Sequence, residues 1–111
     1  MPYKVSLSEG AERDLKELYD YILNHDSPRQ ADYVLDRIEE VFSSLAHSPN
    51  RDNYPPEFVA LGIREFREVF FKPYRIFYFV SGKSVNIILI ADGRRNLRPL
   101  LQRRLLLSEI E

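Results

Sequence analysis

The stretch YRIFYFV, residues 74–80, constrains the fold more than any other part of the chain. Rich in aromatic and β-branched residues and preceded by Lys72-Pro73, it reads as a β-strand. Successive strand side chains point to opposite faces. Tyr74, Ile76, Tyr78 and Val80 therefore share one face, and Arg75, Phe77 and Phe79 the other. Both faces are largely apolar, so the strand needs a layer on each side. IREFREVFF (63–71) and SVNIILIA (84–91) read as neighbouring strands, with Ser81-Gly82-Lys83 as a tight hairpin turn before the latter.

One layer is legible upstream. Ser8 can cap a helix on which Ala11, Leu15, Leu18 and Ile22 recur at helical spacing. HDSPRQ interrupts it. Ser27 as N-cap, Pro28 at the first helical position and Gln30 three residues after the cap open a second helix. That helix carries Ala31, Leu35, Ile38, Phe42 and Leu45 on one stripe and ends before Pro49. So short a link predicts an antiparallel helical hairpin. Residues 3–7 read as a first short strand and residues 48–61 as a loop with Pro49, Pro55 and Pro56. Asn96 can cap a last helix, with Pro99 in its first turn and Leu97, Leu100, Leu101 and Leu105 to pack it down. The expected class is α+β in the order β-α-α-β-β-β-α, one domain over 1–111. The second sheet face has two outcomes. Either the last helix buries it, or part of Phe66, Phe70, Phe77, Phe79, Ile88 and Ile90 stays open as a groove for an amphipathic partner helix.

Composition narrows the chemistry. Without cysteine there is no disulfide, thiolate nucleophile or thiolate metal site. No apolar run approaches the roughly 20 residues that span a bilayer. The start, MPYKVSLSEG, lacks a signal-peptide core. A cytoplasmic protein with no membrane partner is the expectation. Net charge is −1, but it is unevenly spread. Residues 1–61 hold six Lys/Arg and twelve Asp/Glu; residues 62–111 hold ten and five. The field is oriented, acidic in front and basic behind.

The basic half ends in ADGRRNLRPLLQRRLL, residues 91–106, with Arg94, Arg95, Arg98, Arg103 and Arg104 and no acid from Gly93 to Ser108. Arginine stays protonated and is a poor general acid or base. No tyrosine or histidine follows Tyr78, and His25 and His47 fall at the ends of the two N-terminal helices. The cluster can hold phosphate but has little to move a proton with. Glu65 and Glu68 alternate with Arg64 and Arg67, which fits cross-strand ion pairing better than a catalytic base. Acidic spacings such as Glu9/Glu12 and Asp36/Glu39/Glu40 read as solvated helix faces, so no metal ligand is assigned. Gly93 stands alone, without a phosphate loop, and no cofactor is expected. No DNA-recognition motif is present, although five arginines tolerate a phosphate backbone. Arg98, Arg103 and Arg104 fit a solvated helix face. Arg75, beside Phe77 and Phe79, needs a counterpart: a carboxylate such as Asp92 or Glu68, or a binding partner.

Several segments together carry a resemblance: the opening strand with SEGAERDLKELYDYI, the second helix ending at LAHSPN, ALGIREFREVFFKPYRIFYFV, and NIILIADGRRNLRPLLQRRL. In this order, with Tyr74-Arg75 mid-sheet and Gly93-Arg94-Arg95 after the last strand, the chain resembles the ParE branch of the RelE/ParE superfamily of bacterial toxins over nearly its whole length. It departs at Asp92, where many relatives carry histidine. The resemblance implies a helical hairpin on a small twisted antiparallel sheet and a ParD-like antitoxin that neutralises the toxin. RelE-like members cut mRNA on the ribosome, with a strand arginine, a second arginine and a tyrosine or histidine. Arg75 and Arg95 fit the first two; the third position falls on Leu101. The expectation is thus a non-catalytic ParE-like toxin that binds DNA gyrase. Arg75, Arg94, Arg95 and Arg98 would be target contacts, gyrase-bound DNA an indirect one, and Phe66, Phe70, Phe77, Phe79, Ile88 and Ile90 the antitoxin surface. The alternatives are a RelE-like ribosome-dependent endoribonuclease and a non-toxic module that only binds antitoxin.

Overall fold

A computed structural model describes residues 2–50 and 53–110, with side chains as far as Leu105. The element order is β1 (Lys4–Leu7), α1 (Glu9–His25), α2 (Pro28–Leu45), α3 (Pro56–Val59), β2 (Arg67–Phe71), β3 (Tyr74–Ser81), β4 (Ser84–Asp92) and α4 (Arg98–Ile110). Both helix starts form as the caps predict. The Ser8 hydroxyl accepts from the Ala11 N–H and the Ser27 hydroxyl from the Gln30 N–H, each at 3.1 Å. Such a cap is worth about 1 kcal/mol. Two differences are local. The expected loop contains a helical turn, α3, started by Pro56. The expected strand 63–71 begins only at Arg67, because Phe66 instead packs its ring on Phe58 of α3 at 4.9 Å.

The sheet order is β1-β4-β3-β2. β2, β3 and β4 pair antiparallel, whereas β1 pairs parallel with β4, Lys4 opposite Ser84 through Leu7 opposite Ile87. The sheet is mixed where a wholly antiparallel one was expected. The reason is connectivity: the helical hairpin separates β1 from its neighbour, so no tight turn dictates an antiparallel return. Between β3 and β4 the turn is Gly82-Lys83, with Gly82 at φ +58°, the position where a two-residue hairpin turn needs a residue free of a Cβ penalty.

The strand apolar on both faces is covered on both. The hairpin packs Ile22, Val34, Ile38, Phe42 and Leu45 against Val69, Ile76, Tyr78, Val85, Ile87 and Ile90. Tyr78 is fully buried and donates its hydroxyl proton to the Pro49 carbonyl at 2.7 Å. On the other face Phe77, Ile88, Leu89 and Ala91 meet Phe58 of α3 and Leu97 and Leu101 at the head of α4. Burying each large side chain contributes about 1.5–3 kcal/mol.

A β-bulge divides β4. Phe77 lies opposite Leu89, yet Tyr78 lies opposite Ile87, so Ile88 is the extra residue. The slip changes the side-chain parity. Ile88 keeps the face expected for it, but Ile90 turns to the hairpin instead of joining Phe77 and Phe79. Strict alternation fails here because the bulge inserts one residue.

The end of β4 turns at Gly93, whose N–H donates to the Pro73 carbonyl at 2.7 Å. A Cβ there would stand 2.8 Å from Cδ of Arg75 and 2.9 Å from the Pro73 carbonyl oxygen. Gly93→Ala should therefore lower the unfolding free energy by about 1–3 kcal/mol, since backbone has to move. Urea titration checks this; an unchanged midpoint would mean that the turn relaxes freely.

Candidate partner-binding site

The expected target-binding arginines divide into one held inside the protein and three held outside. Arg75 is only 13% exposed. Its Nη1 and Nη2 donate to the two Glu57 carboxylate oxygens at 2.7 and 2.8 Å, and Nε donates to Glu68 Oε2 at 2.8 Å. The guanidinium also lies over the Phe77 ring, 4.8 Å from its centroid. Glu68 reaches it diagonally, because Glu68 is opposite Phe77 and Phe70 is opposite Arg75 in the β2–β3 register. Of the two carboxylates named for Arg75, Glu68 is bound and Asp92 is not. Glu57 comes from α3 and was read only as part of a loop. Arg75 is therefore not a free cation, since each of its three nitrogens donates to a carboxylate.

The two carboxylates shift in opposite directions. The Arg75 hydrogen bonds hold Glu57 below the ordinary carboxylate range. Glu68, 3% exposed, is pushed up by burial, and the Arg75 hydrogen bond only partly opposes this. The carboxylates, Glu57 first, hold the Arg75 guanidinium more firmly protonated.

Asp92 turns outward and belongs to Arg94. Its Oδ1 accepts from the Arg94 backbone N–H and from Nε, both at 2.9 Å, and Nη2 reaches Oδ2 at 2.6 Å. An aspartate that bonds the backbone two residues on is a turn former. The Arg94 hydrogen bond also keeps the Asp92 carboxyl low. The Arg94 side chain is 75% exposed. Arg95 and Arg98 are exposed, and the Arg98 N–H donates to Asn96 Oδ1 at 3.3 Å. Asn96 thus bonds the first turn as expected, although the first helical carbonyl is that of Leu97, which accepts the Leu101 N–H at 2.8 Å. The position left without a proton donor, Leu101, is 2% exposed and packed in the second core.

Arg104 overturns its expected role as a solvated residue. Nη1 and Nη2 bond Asp14 Oδ2 and Oδ1 of α1, each at 2.9 Å, and Nη1 donates to the Ile88 carbonyl at 2.5 Å. Asp14 Oδ2 accepts the Ile90 N–H at 3.0 Å. β1 ends opposite Ile87, so on that side β4 has no neighbouring strand beyond this point, while β3 continues along its other side. The ion pair takes the neighbour's place, offering an acceptor to Ile90 and a donor to Ile88. Sequence gave no sign of it: the partners are 90 residues apart and each resembles a surface charge.

The apolar candidates for the antitoxin surface are mostly covered. Phe77 is fully buried, and Ile88 and Ile90 are 3% and 4% exposed. Phe66 and Phe79 are half-buried and meet edge to face at 5.9 Å. Only Phe70, at the sheet edge, stays open at 42%. α3 and α4 form the lid, so the outcome is the one in which the last helix folds back. Beside the arginine turn lies a cleft of about 410 Å³ between α1 and the end of β4. Leu18, Ile90, Ala91 and Leu100 make its apolar wall, and Tyr21, Arg94 and Arg95 its rim. His25 sits nearby, stacked on Tyr21 at 4.1 Å and exposed. Among the described residues no group of three histidine or acidic side chains is arranged to hold a metal, and no helix is long and apolar enough to cross a membrane.

A helical hairpin on a four-stranded mixed sheet, ending in an arginine turn and a short helix, is a fold shared with toxins of toxin–antitoxin pairs. Solved structures with it include a chromosomal ParDE system from P. aeruginosa (TM-score 0.69, 19% identity, 81% of this chain and 95% of that one). The RelBE2 complex from Mycobacterium tuberculosis gives 0.55 and 23%, covering 83% and 99%. A free mutant of E. coli toxin RelE gives 0.58 and 15%, covering 84% and 85%. Within that class the branch is set by sequence: residues 5–97 match the family described as ParE toxin of type II toxin-antitoxin system, parDE. The chain belongs to this family. Toxin ParE3 of Caulobacter vibrioides is 30% identical over 95 residues, 82% of this chain and 87% of that protein.

Proposed function

We propose that this ParE-family toxin acts in the cytoplasm by binding DNA gyrase, without catalysis, and is neutralised by a ParD-like antitoxin. The observation that carries the non-catalytic reading is the enclosure of Arg75 by Glu57 and Glu68. A phosphate approaching that guanidinium would have to displace two carboxylates and meet their charge. Leu101, where the resemblance puts a proton donor, is sealed in the core. Arg94, Arg95 and Arg98 remain as outward charges on one turn, suited to gripping an acidic surface. The antitoxin reading is supported by the family and by the chromosomal ParDE system of like fold.

The test is purified, antitoxin-free toxin added to gyrase with relaxed plasmid. Supercoiling should fall and cleavage complexes accumulate at micromolar toxin. Unchanged gyrase together with rapid mRNA loss on induction in cells would replace this reading with the ribonuclease one. Arg94→Ala combined with Arg95→Ala should reduce toxicity at least tenfold, measured as surviving colonies after induction. Both side chains are exposed, so the thermal midpoint and antitoxin capture should hold. Full toxicity of the double variant would reassign the two arginines to solubility.

A further inference from the structure

The cleft beside the arginine turn has features that a protein-gripping role does not use. Its charges nearly cancel: Asp92 is paired with Arg94, and Asp14 with Arg104. Glu17 and Arg95 are left on opposite counts, one acceptor and one cation. Tyr21 stands at the rim 61% exposed. The ring continues into a row across the same end of the sheet. Arg94 lines the cleft together with Tyr21, and its partner Asp92 lies opposite Tyr74. Tyr74 stacks with Phe71 at 6.4 Å, and Phe71 meets Tyr33 edge to face at 6.3 Å. Tyr33 is 51% exposed, with the Arg37 guanidinium 5.6 Å from its ring centroid. Phe71 and Tyr74 pack against the hairpin core, whereas Tyr21 and Tyr33 stand more than half exposed as open rings that the core does not use.

Alternation of open rings and arginines is the arrangement that holds single-stranded nucleic acid, where bases stack on rings and phosphates meet the cations. We propose that this surface binds single-stranded nucleic acid: one base enters the cleft against Tyr21, its flanking phosphates meet Arg94 and Arg95, and the next bases lie toward Tyr74, Phe71 and Tyr33. A cavity of about 410 Å³ is within the ordinary range for a small-ligand site. Glu17 can accept from a base N–H at the edge that Arg95 does not serve. The cleft opens at the edge of the sheet, its wall drawing on Ile90 from the hairpin core and on Ala91 and Leu100 from the other, and the proposal does not rest on gyrase being the target.

Fluorescence anisotropy tests it with purified, antitoxin-free toxin at about 50 mM salt, where two phosphate contacts give a salt slope of about −1.4. The probes are a dT12 oligomer, an rU12 oligomer and an abasic 12-mer with the same phosphates. Binding of dT12 or rU12 at tens of micromolar is expected, with the abasic strand about tenfold or more weaker, since each stacked base is worth about 1–3 kcal/mol. A preference between the two oligomers tells DNA from RNA as the source. Tyr21→Ser and Tyr33→Ser, at exposed positions, should each weaken binding about fivefold or more with the thermal midpoint held. A flat titration to 200 µM (on the order of the weakest non-specific binding) overturns the proposal and leaves the rings to a protein partner. Equal binding of the abasic strand overturns it too, by reducing the effect to charge. Neither result bears on gyrase inhibition, which is read in a separate assay.

Discussion

Arg75→Ala should lower the unfolding free energy by about 3–5 kcal/mol, the usual result of removing one partner from a buried pair. Most of that loss comes from what remains. Glu68 would keep a charge 3% exposed to solvent with its only described cation gone, and Glu57 would lose both of its Arg75 bonds. The loss should depend on pH in a definite sense. Glu68 is already raised by burial, so its folded form holds a proton more tightly than its unfolded form. A group of that kind favours folding below its unfolded pKa and loses this contribution as pH rises through its folded pKa. Without Arg75 the upward push is stronger. Glu57 has the opposite sign: its depressed value stabilises above the unfolded pKa, and that contribution vanishes as pH falls through the folded one. The variant loses this second contribution. Its deficit against the parent should therefore be largest near neutrality and shrink on acidification toward pH 4–5, around the ordinary glutamate pKa of about 4.3. Urea titrations of both proteins across pH 4–8 check this; a deficit independent of pH would mean that neither carboxylate depends on Arg75.

Asp14→Ala should cost about 3–4 kcal/mol for a related reason. It takes the carboxylate from the Arg104 guanidinium, 14% exposed, and leaves the Ile90 N–H without its acceptor. The effect should also be directional. Leu97 and Leu101 still hold the head of α4, so amide exchange there should change little, whereas exchange around residues 102–105 should quicken with that of Ile90. Hydrogen–deuterium exchange resolved by peptide checks it. Uniform quickening over the whole chain would show global destabilisation and no specific release of the helix. Arg104→Lys should recover little, because an ammonium cannot serve two carboxylate oxygens and a carbonyl in one plane.

These two sites mark where the sequence could and could not be read. The hairpin, its caps, the β3–β4 turn and the packing leucines of α4 were legible because each rests on a few neighbouring residues. Arg75 was legible as a charge in need of a partner, since its same-face neighbours are aromatic. Its first partner was not, because Glu57 sits in a proline-rich segment whose single helical turn has no periodicity to detect. The bulge was hidden by the uniformity of IILI: with four aliphatic residues in a row, either parity buries something apolar. The Arg104 role was hidden by distance along the chain. At the candidate site, Arg94, Arg95 and Arg98 were located correctly as outward charges, while Tyr21 and the cleft depend on α1 crossing the end of β4, which no local pattern encodes.

The slip at Ile88 has an effect well beyond the residue itself. Tyr74 faces Asp92 and Arg75 faces Ala91 across the pairing that follows it. Had β4 kept step, Asp92 would point toward α4 and Arg75, and the turn that begins with it would leave the sheet on the far side. The heading of the arginine turn is therefore chosen four residues upstream of Asp92, as a rudder steers from behind. Deleting Ile88 instead would take out the extra residue while Leu89 stays opposite Phe77 and Asp92 opposite Tyr74, so the arginine turn would keep its side.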